Sequence, residues 1–232
     1  MGATLDLVEP LSQDRVPPLQ NGDRLTRPEF ERRYTAMSDV KKAELIEGRV
    51  YMPSPVHQDS HGEPHANAVT WLGFYRMFTP DVRGGDNSSV RIDWHNEPQP
   101  DALLMLAPER GGQACVGASK FIEGAPELVV EISASSTSYD LHEKLQAYER
   151  NGVREYVVWR VLDREIDWFV LRDGRYVRLS PDTDGILRSE VFPGLWLDSA
   201  AMIAGNLARV FEVIQQGTAT PEHAVFIQPT ST

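Results

Sequence analysis

Leu128-Val129-Val130-Glu131-Ile132 is the stretch on which the fold turns: four apolar residues with one carboxylate among them, read as a central strand. Downstream, Thr137-x-x-Asp140 is a capping pattern that opens a helix running to Arg150 and closed by Asn151-Gly152. On that helix Leu141, Leu145 and Tyr148 form an inward stripe, and Lys144 lies on the same stripe. His142, Glu143, Gln146 and Glu149 form the wet face. A lysine aimed at a core should meet a carboxylate, and by chain direction the nearest is Glu131 on the preceding strand.

Working outward, strands are expected at Glu155–Val161 and Glu165–Leu171, with hairpin chemistry at Asp173-Gly174. Upstream, Ser88–Asp93 and Gln99–Leu106 read as strands, and Glu44–Met52 as a hairpin turning at Glu47-Gly48 and ended by Pro53 and Pro55. Thr26 with Glu29 caps a short helix from Arg27 to about Met37. Apolar spacing gives a second helix from Pro64 to Phe78, stopped by Pro80, and a last one from Asp198 to about Gln215. The pattern is α/β, in mixed α+β form: a central sheet with a helix packed on each side. Residues 1–24, with Pro10, Pro17, Pro18 and Gly22 and no apolar period, are expected to be a flexible leader, and 217–232 a flexible tail. Residues 25–216 are expected to form one domain.

Among 232 residues, 23 Lys and Arg face 34 Asp and Glu, a net charge of −11. That excludes coating of nucleic acid by bulk charge; a polyanion would need a local basic patch or bound cations. The single cysteine, Cys115, excludes an internal disulfide, a cysteine zinc site and an iron–sulfur cluster. No apolar run is long enough to span a membrane, and Met1–Asp6 lacks a signal-peptide pattern, so a cytoplasmic protein is expected.

Asp101 follows Pro100 and opens the apolar run Ala102–Leu106, so it joins Glu131 as an acid where patterning favours apolar side chains. Two acids from neighbouring strands can hold Mg²⁺ through oxygen ligands, and an inward lysine can position or deprotonate an attacking water. A buried structural ion pair between Glu131 and Lys144, with Asp101 capping a strand end, accounts for the same pattern. Glu44 and Glu47 fall on opposite faces of the first hairpin; Glu44 is the one assigned to the site, because Glu47 beside Gly48 has turn chemistry. Gln99 is expected on the same strand face as Asp101, and Glu127 exposed at its strand start. His57, His61 and His65 recur at helical spacing, but Pro55, Gly62 and Pro64 argue against one helix carrying all three. His57 is expected to enter the pocket from the loop before the helix. Ser133, Ser135 and Ser136 lack a Gly-x-Ser-x-Gly elbow and read as a helix entry with hydroxyl caps.

Taken in order, several pieces resemble the Uma-two family. They are Glu44-Leu45-Ile46-Glu47-Gly48, Ser54-Pro55-Val56-His57-Gln58, Gln99-Pro100-Asp101, and Gly124 through Ser133 running into Ser135-Ser136-Thr137. Glu143-Lys144-Leu145, Tyr148, Gly152 through Tyr156 and Leu195-x-Leu197-Asp198 complete the series. The resemblance implies a restriction-endonuclease-like PD-(D/E)xK fold: a central mixed sheet flanked by helices, here with an added β-hairpin region. It implies Asp101 and Glu131 as metal ligands and Lys144 as the catalytic lysine. The name motif of the superfamily puts its lysine two residues after the acid; Ser133 stands there, so the lysine reaches the site from the next helix.

The expected function is a Mg²⁺- or Mn²⁺-dependent endonuclease acting on DNA, with catalytic Asp101, Glu131 and Lys144 and auxiliary Glu44, His57 and Gln99. The alternative is a catalytically silent nucleic-acid- or protein-binding module that keeps the fold. Arg150, Arg154, Arg160, Arg172, Arg175 and Arg178 offer a basic surface. Apolar residues on both faces of the hairpin around Val157-Val158-Trp159 and Asp167-Trp168-Phe169 need a second cover, for which a homodimer is expected.

Overall fold

Alternation along the central strand decides the layers. The computed structural model describes residues 16–52, 57–134 and 139–228. Pro53, Pro55, Ser135, Ser136 and the Thr137 cap lie outside them. Helix α1 (Arg27–Thr35) precedes hairpin β1 (Glu44–Ile46) and β2 (Arg49–Tyr51), which turns at Glu47-Gly48 as expected. Helix α2 (Glu63–Phe78) leads into β3 (Val82–Asp86), β4 (Val90–Arg91), β5 (Ala102–Leu106), β6 (Cys115–Val116), β7 (Ile122–Glu123) and β8 (Leu128–Ser133). Helix α3 (Leu145–Asn151) is followed by β9 (Glu155–Arg160), β10 (Glu165–Arg172), β11 (Arg175–Arg178), β12 (Ile186–Arg188) and β13 (Trp196–Asp198). Helices α4 (Ser199–Ile203), α5 (Leu207–Thr218) and α6 (Pro221–Phe226) close the described chain.

Six strands form the main sheet in the order β11-β10-β9-β8-β5-β3. β8 and β9 run parallel and the other neighbours antiparallel, so the sheet is mixed. The β10–β11 hairpin extends one edge, and β3 forms the other. Leu128, Val130 and Ile132 enter a core shared with α2 and α5, where Trp71 meets Trp168 edge-on at 5.5 Å. Val129 faces the opposite core, with Leu103, Met105, Tyr148, Tyr156 and Val158. Both faces of β9 and β10 are therefore covered within one chain, which removes the packing argument for a dimer. A third cluster joins α1 to the first hairpin through Phe30, Leu45 and Val50.

Several boundaries and elements differ from expectation, among them the strand expected at Ser88–Asp93, which is only Val90–Arg91. Residues 16–24, expected to be leader, lie against the first hairpin: Leu19 is buried, and the Gly22 N–H donates to the Val50 carbonyl. Residues 217–226, expected to be tail, continue α5 and form α6, whose His223 is buried against the Thr79 hydroxyl at 2.9 Å. The last expected helix is two, because Gly205 takes a positive φ of 70° and Asn206 caps a new start by accepting from the Arg209 N–H. Strand β3 was not expected, since Val82-Arg83-Gly84-Gly85-Asp86 has no apolar alternation.

Candidate functional site

Asp101, Glu131 and Lys144 meet on the α3 face of the sheet. Ala102 pairs with Val130, so the antiparallel register sets Asp101 opposite Glu131, and their side chains share a face. The Ile132 N–H donates to Asp101 Oδ2 at 2.8 Å, which fixes that carboxylate from the neighbouring strand. Lys144 ends a wide π-helical turn, Asp140–Lys144, that leads into α3. It is more deeply buried than Leu141 or Leu145 on its own stripe. Its Nζ lies 2.8 Å from Glu131 Oε1, 3.0 Å from Glu44 Oε1 and 3.8 Å from Asp140 Oδ1. The Tyr148 hydroxyl, one turn on, donates to Glu131 Oε1 at 3.0 Å.

Glu44 reaches this cluster from β1 and also accepts the Gln99 backbone N–H at 2.8 Å. Glu47 is elsewhere, in the turn with a positive φ of 51° and paired with Arg150. The Gln99 side chain does not share the face of Asp101: it turns to the hydroxyls of Ser89 and Tyr34 at 2.9 and 3.3 Å, because residue 99 lies before β5 begins. His57 is exposed, and its backbone carbonyl accepts from the N–H groups of His61 and Gly62. Glu127, expected to be exposed, is fully buried and accepts the backbone N–H groups of Leu106 and Gln113 at 2.8 and 2.6 Å.

Three residues at this cluster were not assigned to it from sequence: Lys42 was not singled out, and His61 and His65 were noted only for their spacing. Lys42 Nζ lies 3.2 Å from Asp101 Oδ1, and His61 Nε2 lies 3.3 Å from Asp101 Oδ2. His65 Nε2 lies 2.9 Å from the Asp101 carbonyl oxygen and 3.0 Å from Asp86 Oδ1. The two imidazoles share a face because the π-helical turn Gln58–Gly62 feeds directly into α2. Pro64 sits in the first turn of α2, where its missing N–H has no helical partner to lose, so it does not break the helix. The i, i+4 histidine spacing was the available signal. Lys42 carried none, since it precedes a three-residue strand.

Burial acts on every charge here. It would push Asp101 up, but His61, Lys42 and the Ile132 N–H hold its carboxyl well below the usual range. Burial pushes Glu131 up, and Asp101 and Glu44 add to the rise against the pull of Lys144. Burial opposes the charge on Lys144, yet Glu131 and Glu44 hold its ammonium well above the ordinary lysine range. Four acids, Asp101, Glu131, Glu44 and Asp140, thus gather around Lys42, His61 and Lys144. Lys42, His61 and His65, with side chains 24%, 20% and 19% exposed, form the solvent-facing wall. Among the described residues no three His, Cys, Asp or Glu side chains already enclose a metal position. The donors are nevertheless hard carboxylate oxygens, the type that suits Mg²⁺ or Mn²⁺, and Mg²⁺ commonly uses one or two carboxylates with water and substrate phosphate.

The basic surface expected from the arginines is not free. Arg150 pairs with Glu47, Arg172 with Glu190 and Arg175 with Glu149. Arg160 pairs with Asp163, Glu165 and Asp167, and Arg178 with Asp167, while Arg154 donates to the Gln113 side chain. No helix among the described residues is long and apolar enough to cross a membrane.

The structure is similar to a crystal structure of a "putative nuclease belonging to DUF820" from Anabaena variabilis, with a TM-score of 0.53 and 11% identity over 79% of this chain and 97% of that one. At that identity the likeness is one of fold. No curated protein matches the chain. The family Uma2, described as "Putative restriction endonuclease", matches residues 27–200, a span that holds Asp101, Glu131 and Lys144 together with the main sheet. Matched over most of its length, the chain belongs to the Uma2 family of restriction-endonuclease-like proteins.

Proposed function

We propose that the protein is a Mg²⁺- or Mn²⁺-dependent endonuclease that hydrolyses phosphodiester bonds in DNA. The observation that carries this reading is the gathering of carboxylate oxygens: four buried acids around Lys42, His61 and Lys144, within the span of the family match. A structural ion pair needs one partner per charge, whereas a cluster of oxygen donors invites a divalent cation.

Asp101 and Glu131 would hold the ion, which when bound supplies charge stabilisation at the phosphoryl oxygen and a more acidic water. Lys42, His61 and the Ile132 N–H keep Asp101 ionised and fixed in orientation. Lys144 is held protonated by Glu131 and Glu44, so it is not a base; its ammonium orients the attacking water and stabilises negative charge developing at phosphorus. Glu44 holds Lys144 in place from β1. Hydrolysis then joins the water oxygen to phosphorus and breaks one ester bond, leaving a phosphate monoester and a hydroxyl. Incubation with plasmid and single-stranded DNA, with Mn²⁺, with Mg²⁺ and with EDTA, tests the reading. Cleavage by the wild type that survives unchanged in Asp101→Asn or Glu131→Gln overturns it.

One observation favours the silent binding module instead: Lys144 already joins Glu131 and Glu44, and its side chain is only 3% exposed. That reading requires that divalent ions leave the wild-type melting temperature unchanged.

A further inference from the structure

Outside the acidic cluster, the concavity with the clearest chemistry lies along the edge strand β3. A half-open hollow of about 370 Å³ is lined by Arg83, Gly85, Ser88, Ser89, Lys120 and Phe121, among others. No carboxylate lines it, in a chain of net charge −11. Neither Arg83 nor Lys120 has an ion-pair partner among the described residues, in contrast to Arg150, Arg160, Arg172, Arg175 and Arg178. Both cations are exposed. Arg91 stacks on Phe121 at 4.2 Å, but it is engaged by Glu31 at 2.9 Å and Glu123 at 3.6 Å, so its charge is spent outside the hollow.

The backbone explains why the hollow exists. Gly84 and Gly85 carry no side chains, and a Cβ on Gly85 would stand 3.1 Å from Leu103 and 3.2 Å from the Ser88 hydroxyl. Among the described strands β3 pairs with β5 alone, so it forms the edge of the main sheet beside the hollow. A second, smaller hollow shares Gly84 and Gly85 and adds Arg76 and Asp86. Asp86 is the residue that His65 contacts, and Lys42 reaches Asn87 next to it at 3.3 Å. The glycine edge therefore leads from the Arg83–Lys120 hollow to the wall of the acidic cluster.

We propose that this edge groove binds the sugar–phosphate backbone of a nucleic-acid strand next to the bond held at the acidic cluster, with Arg83 and Lys120 each meeting a phosphate and the Ser89 hydroxyl, which accepts from Gln99, donating a hydrogen bond. The proposal rests on the nuclease reading for its orientation. The charge pattern gives its chemistry: cations and hydroxyls, with no acid lining the Arg83–Lys120 hollow, suit a phosphodiester, and glycines permit close approach of the chain.

The test is binding, so it does not require cleavage. Fluorescent DNA and RNA oligonucleotides are titrated in EDTA and in Ca²⁺ against the full chain, Arg83→Gln/Lys120→Gln, and the control Arg150→Gln/Arg175→Gln. Loss of two phosphate contacts lowers affinity by about tenfold or more and reduces the slope of log K against log[salt] by about 1.4 for single strands. The control, whose arginines already serve acids, changes affinity less than about twofold. Equal affinity of the wild type and the Arg83/Lys120 variant overturns the groove, as does failure of the wild type to bind in either ion condition. The nuclease reading stands or falls separately, on cleavage by Glu131→Gln.

Discussion

Two ends of the same sheet bury glutamates in opposite ways. At one end Glu155 of β9 is fully buried and accepts the Ser189 hydroxyl at 2.7 Å and the N–H groups of Glu190 and Val191 at 2.7 and 3.2 Å. Glu127, just before β8, likewise accepts two backbone N–H groups. These donors are fixed parts of the chain, and the carboxylates staple loops to strand ends. At the other end Glu131 meets no backbone donor in the described contacts but a lysine and a tyrosine hydroxyl, with two more acids, Glu44 and Asp140, around that lysine. Acids satisfied by backbone amides support the fold. Acids gathered around side-chain cations are what the nuclease proposal requires, because an ion can compete for them.

That contrast breaks first if the two ends respond alike. Glu131→Gln keeps the shape of the side chain and removes its charge, so DNA cleavage falls by about 10³-fold or more, with little loss of stability. Single-turnover assays in Mn²⁺ and thermal melts check both halves. Glu155→Gln, measured the same way, leaves cleavage per folded molecule within about twofold.

Lys144→Met sharpens the meaning of the cluster. In EDTA it strands Glu131 and Glu44 together, at a cost of about 3–5 kcal/mol in urea unfolding, and Glu131→Gln added to it recovers much of that loss. In excess Mg²⁺ the single variant regains stability, because the ion takes over neutralisation of the acids. A loss indifferent to Mg²⁺, with a wild type that is also indifferent, makes Lys144 a structural partner only.

Glu155→Ala is the matching test at the stapling end. It leaves the Ser189 hydroxyl and the Glu190 N–H without their acceptor and the Val191 N–H with Ser189 Oγ alone, which costs about 2–4 kcal/mol in urea unfolding. Cleavage by the fraction still folded is unchanged. A large loss of cleavage by folded protein would erase the distinction between the two ends.

The charged centre was legible in the sequence because it breaks a period. Glu131 interrupts an apolar strand and Lys144 an inward helical stripe; the strand-then-helix order suggested the pair, which the structure places at 2.8 Å. Asp101 was legible for the same reason. Lys42 was not, because its neighbour in space is 59 residues away in sequence and no local pattern records such a distance; His61 and His65 showed their helical spacing but not that they meet Asp101, 40 and 36 residues away. The stapling glutamates were invisible too: a carboxylate at a strand start looks exposed until a loop returns to it. The arginines of β9 to β11 looked like a basic face because a list of cations omits the cross-strand acids, Asp167 above all, that pair with them. Edge strand β3 was hidden by the two glycines that give it an open groove.

The smallest predicted effect is a pH dependence that again separates the two ends. Burial pushes Glu155 up to about 7 from an ordinary 4.5. Its folded form therefore keeps a proton that the unfolded chain releases above about 4.5, so the stability it contributes is complete below that pH and is lost as pH rises through about 7. Glu131 is raised by the same cause and acts in the same direction in EDTA. Metal-free protein is thus less stable at pH 8 than at pH 5, by roughly 2–3 kcal/mol for one such group. Glu155→Gln flattens part of that slope whether or not Mg²⁺ is present, because no ion replaces its proton. The part due to Glu131 behaves differently: Mg²⁺ competes with the proton, so added ion stabilises the protein more at pH 8 than at pH 5. Urea unfolding of the wild type and both glutamine variants at the two pH values, with EDTA and with Mg²⁺, reads each contribution. If Glu131→Gln leaves the Mg²⁺ response intact, the acids gathered at that end do not include a metal ligand at residue 131.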